Sequence, residues 1–179
     1  MSLGYFAYDT ISMALLGILD MDTIIHHGMC LVAFSYSLLT NAGSFYNCLI
    51  VVLGEFSNSP MHTRVILRNI NMRYTKLYYT ATYLFFATYL FARVVGAHPV
   101  IYLACTCEGC PLLIKVCFIV LMLQSYQNFY RMYFVWKGVM RQSAELKQKG
   151  IELKWTEPLS NEELEKCNFY KKSQEKKVA

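Results

Sequence analysis

A paired histidine within a charge-free apolar stretch constrains this chain more than any other feature. His26 and His27 lie near the start of residues 23–54, which contain no lysine, arginine, aspartate or glutamate. A helix needs about 20 apolar residues to cross the hydrocarbon core of a bilayer, and this stretch is longer. We therefore expect it to lie in lipid. Two imidazoles at that depth are costly, so we expect them to face the protein interior or a wet cavity.

The composition is that of a membrane protein with a charged tail. Of the 179 residues, 55% are hydrophobic, 15% aromatic and only 16% charged, whereas soluble proteins average about 25% charged residues. Residues 1–136 carry seven basic and five acidic side chains, and residues 137–179 carry ten and seven. The net charge of +5 thus comes from loops and tail and does not indicate nucleic acid binding. We predict a transmembrane domain over residues 1–137 and a charged tail, cytosolic or on the matrix side, over residues 138–179.

Five apolar segments are predicted to span the membrane, so the predicted fold class is all-α, a polytopic membrane helix bundle. They cover residues 3–19, 23–40, 45–56, 77–97 and 111–136. The third is short for a full crossing, and a re-entrant segment is the alternative. The fourth should end before His98-Pro99, and the fifth should continue as a helix towards Gly150. In the tail, Ser160 and Glu163 have the spacing of a capping box, which predicts a short helix.

Basic residues predict the orientation of the bundle. The connection between the third and fourth segments holds four of them: Arg64, Arg68, Arg73 and Lys76. The tail is also rich in lysine, and two predicted spans separate it from that connection. The positive-inside rule therefore places both on the inner side of the membrane. The connection between the fourth and fifth segments then lies on the opposite side.

The carboxyl end suggests a compartment. Residues 176–179 read Lys-Lys-Val-Ala, which is similar to the dilysine retrieval signal of endoplasmic reticulum membrane proteins. The sequence thus predicts a multi-pass protein of the endoplasmic reticulum. The alternative is the mitochondrial inner membrane, where the chain would be a subunit of a complex.

Polar side chains within the apolar segments mark the candidate site. Four on the last segment are spaced i, i+3, i+4, i+7 and therefore share one helical face: Gln124, Gln127, Asn128 and Arg131. Asp22 lies one turn before His26 and would orient its ring if the helix begins there. We predict that six side chains line a cavity between the helices: Asp9, His26, His27, Glu55, Arg93 and Gln127.

Two explanations of these polar residues stay open. Buried polar groups hold membrane helices together through hydrogen bonds of about 0.6–2 kcal/mol each. Alternatively, two histidines beside an acid suit acid–base chemistry at a buried lipid-binding site. Because neighbouring residues on a helix point about 100° apart, we do not expect the two rings to share one small partner.

A metal site is not favoured. Cys105, Cys107 and Cys110 have a spacing that zinc or an iron–sulfur cluster would use, but three thiols are an incomplete set without a fourth ligand such as His98. A disulfide is the alternative. His26 and His27 are poorly placed to chelate one ion, because ligands on a helix are usually four residues apart.

Four segments of the chain resemble, in order, segments of one known family. They are residues 4–9 (GYFAYD), 21–27 (MDTIIHH), 54–60 (GEFSNSP) and 91–99, from Phe-Ala-Arg-Val to proline. The second resembles the histidine-pair segment of the TLC-domain family, the multi-span fold shared by ceramide synthases and translocating-chain-associated membrane proteins. The third is similar to the Glu-x-Ser-x-Pro-Phe segment of the non-synthase branch, although one extra residue precedes the proline and Met61 replaces the phenylalanine. The resemblance covers about residues 4–137.

The chain departs from the synthase pattern in three respects. Synthases carry His-His-x-x-Thr, and here the threonine position is Cys30. They then carry two acids spaced three apart, and the positions that match are Glu55 and Asn58, so an amide replaces the second carboxylate. The family's domain begins with further helices upstream of the match, so the resemblance implies an N-terminally short, partial TLC-type domain.

The resemblance implies an integral membrane protein that holds lipid within a helical bundle. We favour a non-catalytic role: lipid binding, lipid homeostasis, or a scaffold or accessory subunit of a larger membrane complex. The expected partners are membrane lipids and other integral membrane subunits, and no cofactor is expected. The alternative is a ceramide-synthase-like N-acyltransferase that uses acyl-CoA. One histidine of the pair His26 and His27 would then be the general base, the other would bind the thioester carbonyl, and Glu55 would orient them.

Overall fold

The computed structural model describes residues 2–17 and 19–170, and within these ranges no strand occurs. The elements in chain order are α1 Ser2–Leu15, α2 Met21–Thr40, α3 Ser44–Phe56, α4 Asn58–Asn69, α5 Lys76–Tyr89, a π-helical segment Leu90–Gly96, α6 Ala97–Thr106, α7 Leu112–Gln148 and α8 Asn161–Glu165. The predicted all-α fold class is confirmed. The terminal Lys-Lys-Val-Ala, on which the predicted compartment depends, lies outside the described residues.

Among the described residues, three helices are long and apolar enough to cross a membrane. They are Met21–Thr40, the continuous helix Lys76–Thr106, and Leu112–Gln148. The first and third predicted spans are also helical, but α1 has 14 residues and α3 has 13. At 1.5 Å per residue each is roughly 20 Å long, shorter than the hydrocarbon core of about 30 Å. All five predicted segments are therefore helices, and three of them have the length of a full crossing.

The prediction that the fourth span ends before His98-Pro99 is wrong. The helix passes through the π-helical segment into α6 and ends at Thr106. Proline usually ends a helix, because it lacks an N–H and its ring crowds the carbonyl four residues earlier. Pro99 is the third residue of α6, directly after the wide π turn. Local π adjustments of this kind let membrane helices accommodate proline.

Local chemistry explains where several helices begin and end. The Asp20 carboxylate caps α2 by accepting a hydrogen bond from the Thr23 N–H at 2.7 Å. Asp22 therefore falls in the first turn of that helix. Glycine at position 17, with φ +67°, follows α1, which ends at Leu15 rather than at residue 19. The basic connection between the third and fourth predicted segments contains the helix α4.

The tail contains the predicted capping box. The Ser160 hydroxyl accepts a hydrogen bond from the Glu163 N–H, and the Glu163 carboxylate accepts one from the Ser160 N–H at 2.9 Å. The short helix α8 follows. The long helix α7 continues to Gln148, as predicted, and Gly150 follows it with φ +66°.

The chain divides into two compact units. The first lies within Met1–Phe56 and Tyr89–Phe129. Its core has one cluster around Ala104, Ile114 and Phe118, which are 0–1% exposed. A second cluster is built on Phe6, Cys30 and Leu121. This unit contains His26 and His27, the two histidines of the pair.

The described residues of the second unit lie within Ser57–Thr88 and Tyr130–Ala179. Its core joins residues of α5 and α7 to residues of the tail: Tyr78, Tyr79, Val139, Leu146, Leu159, Leu164 and Cys167. Phe86 and Trp136 stack with their ring centroids 4.9 Å apart. The Lys76 N–H donates to the Lys154 carbonyl at 2.8 Å. The described part of the tail therefore packs against helices of this unit.

Candidate functional site

A cleft opens in the first unit between α2, α3, the π-helical segment, α6 and α7. Its empty space, including the open mouth, is about 600 Å³. Most lining side chains are apolar and include Ile50, Leu53, Ala97, Ile101, Phe118 and Met122. The polar side chains of the lining are His26, Glu55, Arg93 and Ser125. The cleft thus combines a largely apolar wall with an imidazole, a carboxylate and a guanidinium.

The π-helical segment carries Arg93 into this cleft. Its Nη2 donates to the Gly54 carbonyl oxygen at 3.1 Å, and its guanidinium lies 5.3 Å from the ring centroid of Tyr89. The Tyr89 hydroxyl donates to the Ser125 carbonyl at 3.2 Å. Gly54 immediately precedes Glu55 in the chain. Arg93 is therefore held beside Glu55 by contacts that reach α3, and π turns are frequent at functional sites.

The two histidines have different surroundings. His26 lines the cleft, whereas His27 is 8% exposed and contacts α1. Their ring centroids lie 5.6 Å apart with the planes tilted at 54°. The difference follows from the rotation of about 100° between consecutive helical residues. Only one of the two rings is therefore available to a molecule in the cleft.

Contacts from α1 hold both nitrogens of the His27 ring. Its Nδ1 lies 3.0 Å from Thr10 Oγ1, and its Nε2 lies 3.6 Å from Asp9 Oδ2. Thr10 donates its single hydroxyl hydrogen to the Phe6 carbonyl at 2.6 Å, so Nδ1 must be the donor to Thr10. Asp9 and His27 thus form a pair that ties α1 to α2.

We expect Asp9→Asn to lower the free energy of unfolding by about 1–3 kcal/mol, because the buried ring loses its charged partner. The Asp9 side chain is 36% exposed, so solvent screening keeps the loss below that of a fully buried pair. A double-mutant cycle with His27→Gln, measured by unfolding in mixed micelles, should give a coupling above about 0.5 kcal/mol. The same cycle with His26→Gln is the control and should be additive. If the changes in the free energy of unfolding at positions 9 and 27 are additive, Asp9 and His27 do not form an interacting pair.

The other predicted site residues lie outside the cleft lining. Gln124 is buried, and its Nε2 donates to the Asp22 carbonyl, so both hold the bundle together. Gln127 is exposed and Asn128 half-buried. Asn58 and Arg131 belong to the second unit. Of the six side chains predicted to line one cavity, three lie in the cleft, two form the α1–α2 pair, and Gln127 is in neither group.

The face that α7 presents to the cleft differs from the predicted polar one. It consists of Phe118, Leu121, Met122 and Ser125, which also follow the spacing i, i+3, i+4, i+7. This face lies one residue, or about 100°, from the face that contains Gln124. Periodicity in the sequence is compatible with both faces. Thr10 was also missed, and its position next to Asp9 was the only signal for it.

Cys105, near the end of α6, and the two cysteines of the connection between α6 and α7, Cys107 and Cys110, are free thiols. Among residues 2–17 and 19–170, no group of three or more histidine, cysteine, aspartate or glutamate side chains is placed to hold a metal ion. Cys107 is half-buried and Cys110 is buried. These thiols do not belong to the cleft lining.

The comparisons with known proteins agree with this architecture. Residues 1–137 match the family model described as the TLC domain. Comparison with curated proteins and with solved structures returned no match. The matched region contains the cleft, both histidines and all five predicted spans. The chain therefore belongs to the TLC-domain family, and it is a multi-pass membrane protein related to membrane lipids.

Proposed function

We propose that the chain binds a membrane lipid in the cleft without catalysing a reaction, and that it is a scaffold or accessory subunit of a larger membrane complex. The observation that carries the proposal is the lining of the cleft. Apolar side chains from several helices form most of it, and His26, Glu55 and Arg93 supply the polar part. Pockets of this composition suit an amphiphile, with an acyl chain along the apolar wall and a headgroup at the polar side chains.

The charges support a headgroup that both donates and accepts hydrogen bonds. Arg93 is pre-positioned by the Gly54 carbonyl and the Tyr89 ring, so little side-chain entropy is lost when it binds a ligand. A guanidinium has five N–H donors in a planar fork that matches phosphate and carboxylate groups. Glu55 beside it can accept from a hydroxyl or an amine. A phospholipid or another polar lipid carries groups that both side chains can bind.

The open mouth of the cleft supports a role within a complex. Glu55 lines the cleft and is exposed, so its carboxylate is within reach of a neighbouring integral membrane subunit or of the headgroup of a bound lipid. We place this assembly in the endoplasmic reticulum, with the mitochondrial inner membrane as the alternative.

A substitution that fills the cleft tests the lipid-binding proposal. Ala97 is 9% exposed and lines the cleft, so Ala97→Leu would occupy space that an acyl chain needs. We expect the full chain, purified in mild detergent, to carry a lipid that native mass spectrometry detects, and Ala97→Leu to reduce its occupancy by about tenfold or more. Ala14→Leu is the matched control, because Ala14 is an exposed residue of α1. Equal lipid in the two variants would contradict the proposal.

The same purification tests the role as a subunit. Other integral membrane proteins should co-elute in stoichiometric amounts when the chain is taken from its native membrane. A chain that elutes alone, with lipid in the cleft, would support lipid binding and contradict membership of a complex.

The position of His26 supports a second candidate function, an acyl-CoA-dependent N-acyltransferase. His26 lies in the cleft with Glu55 and Arg93, whereas His27 is engaged by Asp9 and Thr10. In this alternative His26 would be the general base for an amine, and Arg93 would polarise the thioester carbonyl. Purified protein would then convert acyl-CoA and a long-chain base to an amide, and His26→Ala would abolish that product without unfolding the chain. If the folded wild-type protein forms no amide from acyl-CoA and a long-chain base, the result supports the non-catalytic role.

A further inference from the structure

We propose that Cys107 and Cys110 form a reversible dithiol–disulfide pair in the connection between α6 and α7, with Cys107 as the attacking thiol. Neither residue lines the cleft, and the inference does not depend on the lipid-binding proposal. It rests on the geometry of one turn and on the groups around the Cys107 sulfur.

The two cysteines occupy the first and fourth positions of one turn. The Cys110 N–H donates to the Cys107 carbonyl at 3.2 Å, which closes a four-residue turn from Cys107 to Cys110. Such turns bring the first and fourth Cα atoms within about 7 Å, and disulfides span Cα separations of about 4.4–6.8 Å. Gly109 adds no side chain to the turn; a Cβ there would lie 3.9 Å from Cys107 Sγ. Oxidation of this pair therefore requires little movement of the backbone.

The surroundings of Cys107 favour its thiolate. A hydrogen bond from the Tyr46 hydroxyl has the largest effect in lowering the pKa of Cys107, and the backbone N–H groups of Gly109 and Cys110 act in the same direction. Lys115, whose Nζ donates to the Cys105 carbonyl at 2.9 Å, adds a positive charge nearby. The thiolate is the form of cysteine that attacks a disulfide.

Cys110 is suited to the second step. It is 4% exposed and packs with Ala104 and Ile114. This burial raises the pKa of the Cys110 thiol above its ordinary value. The Cys110 thiol therefore stays protonated and unreactive until Cys107 has formed a mixed disulfide. The two cysteines therefore have different roles although only two residues separate them.

The oxidant is a low-molecular-weight disulfide such as oxidised glutathione. The Cys107 thiolate attacks one of its sulfurs, forms a mixed disulfide and releases one glutathione thiolate. That thiolate takes the proton of Cys110, whose sulfur then attacks Cys107 Sγ and releases the second glutathione as a thiolate. Starting from the Cys107 thiolate and the Cys110 thiol, the protein pair loses two electrons and one proton, and one glutathione disulfide becomes one thiol and one thiolate. Reduced glutathione reverses the sequence.

Mass analysis of the full chain in mild detergent tests the pair. The reduced protein is incubated with oxidised glutathione, and the remaining free thiols are alkylated before digestion. We expect Cys107 and Cys110 to escape alkylation together, in a peptide that has lost two hydrogens, and reduced glutathione to restore both thiols. Cys110→Ser should hold glutathione on Cys107, and Cys107→Ser should form neither product. Cys105→Ser, which removes the neighbouring thiol near the end of α6, is the matched control and should behave as the wild type.

A kinetic measurement tests the role of Cys107 separately. Tyr46→Phe should slow the alkylation of Cys107 near neutral pH by about two- to tenfold, because one hydrogen bond to the thiolate is lost. The rate at Cys105 should not change. Full alkylation of Cys107 and Cys110 after oxidised glutathione, or a disulfide that uses Cys105 instead, would overturn the pair. An unchanged rate in Tyr46→Phe would overturn the assignment of Cys107 as the activated thiol.

Discussion

Gly43→Ala should lower the free energy of unfolding by about 2–5 kcal/mol, which is a large loss for one methyl group. Gly43 has φ +75° in the turn between α2 and α3, a left-handed conformation that costs other residues about 1–2 kcal/mol. An added Cβ would also lie 2.5 Å from Ile114 Cδ1. Ile114 is 0% exposed, so its side chain has little room to yield, and overpacking of this kind costs about 1–3 kcal/mol.

Two variants separate the backbone cost from the steric cost. Gly17 also has a left-handed conformation, φ +67°, but nothing lies within 4 Å of an added Cβ. Gly17→Ala should therefore cost only about 1–2 kcal/mol. Ile114→Val removes the Cδ1 atom and should recover part of the stability in the Gly43→Ala background. Unfolding in mixed micelles gives all four values, and equal losses at the two glycines would contradict the steric argument.

Arg93→Leu should weaken the binding of a lipid with an anionic headgroup by about ten- to hundredfold, because hydrogen bonds to a charged group contribute about 1.5–3 kcal/mol. The expectation rests on the proposed lipid site. Arg93→Lys keeps the charge but loses the planar fork, so its loss should be smaller. Binding is measured by native mass spectrometry in micelles that contain phosphatidate and phosphatidylcholine.

Arg131→Leu is the matched control for that experiment. Arg131 is an exposed residue of α7 outside the cleft lining, and its replacement removes the same charge. Phosphatidate binding should be close to that of the wild type in this variant. Because Arg93 also donates to the Gly54 carbonyl, the unfolding of Arg93→Leu is measured alongside. Equal losses of phosphatidate binding in the two leucine variants would show that Arg93 is not a headgroup ligand.

Features that depend on local sequence could be predicted. The apolar segments became helices because hydropathy and helix propensity act over short distances. The Ser160–Glu163 capping box is a signal within four residues, and the structure contains it. The same locality explains the turn at Gly43, because glycine is the residue that adopts positive φ most readily.

Features that depend on packing between distant segments could not be predicted. The packing of α1 on α2 decides which histidine faces the cleft. The local sequence does not distinguish His26 from His27 in this respect. The polar face of α7 was expected to line the cavity, but Phe118 and Ser125 line it instead. The folding of the tail depends on contacts such as that from Lys76 to Lys154, which are far apart in the chain.

The π-helical segment shifts the register of the helix that contains it. Tyr89 is buried, and in a regular α-helix a heptad repeat from this residue would next bury Gly96 and Leu103. The buried positions are instead Ala97 and Ala104, whereas Leu103 is 55% exposed. One additional residue has been absorbed in the wide turn, so every position beyond it is advanced by one. Deletion of a single residue between positions 90 and 96 would therefore restore the uninterrupted heptad and leave Ala97 and Ala104 at the buried positions. A π turn that became regular α-helix without such a deletion would instead put Leu103 in the place of Ala104, where the packing has room only for a methyl group.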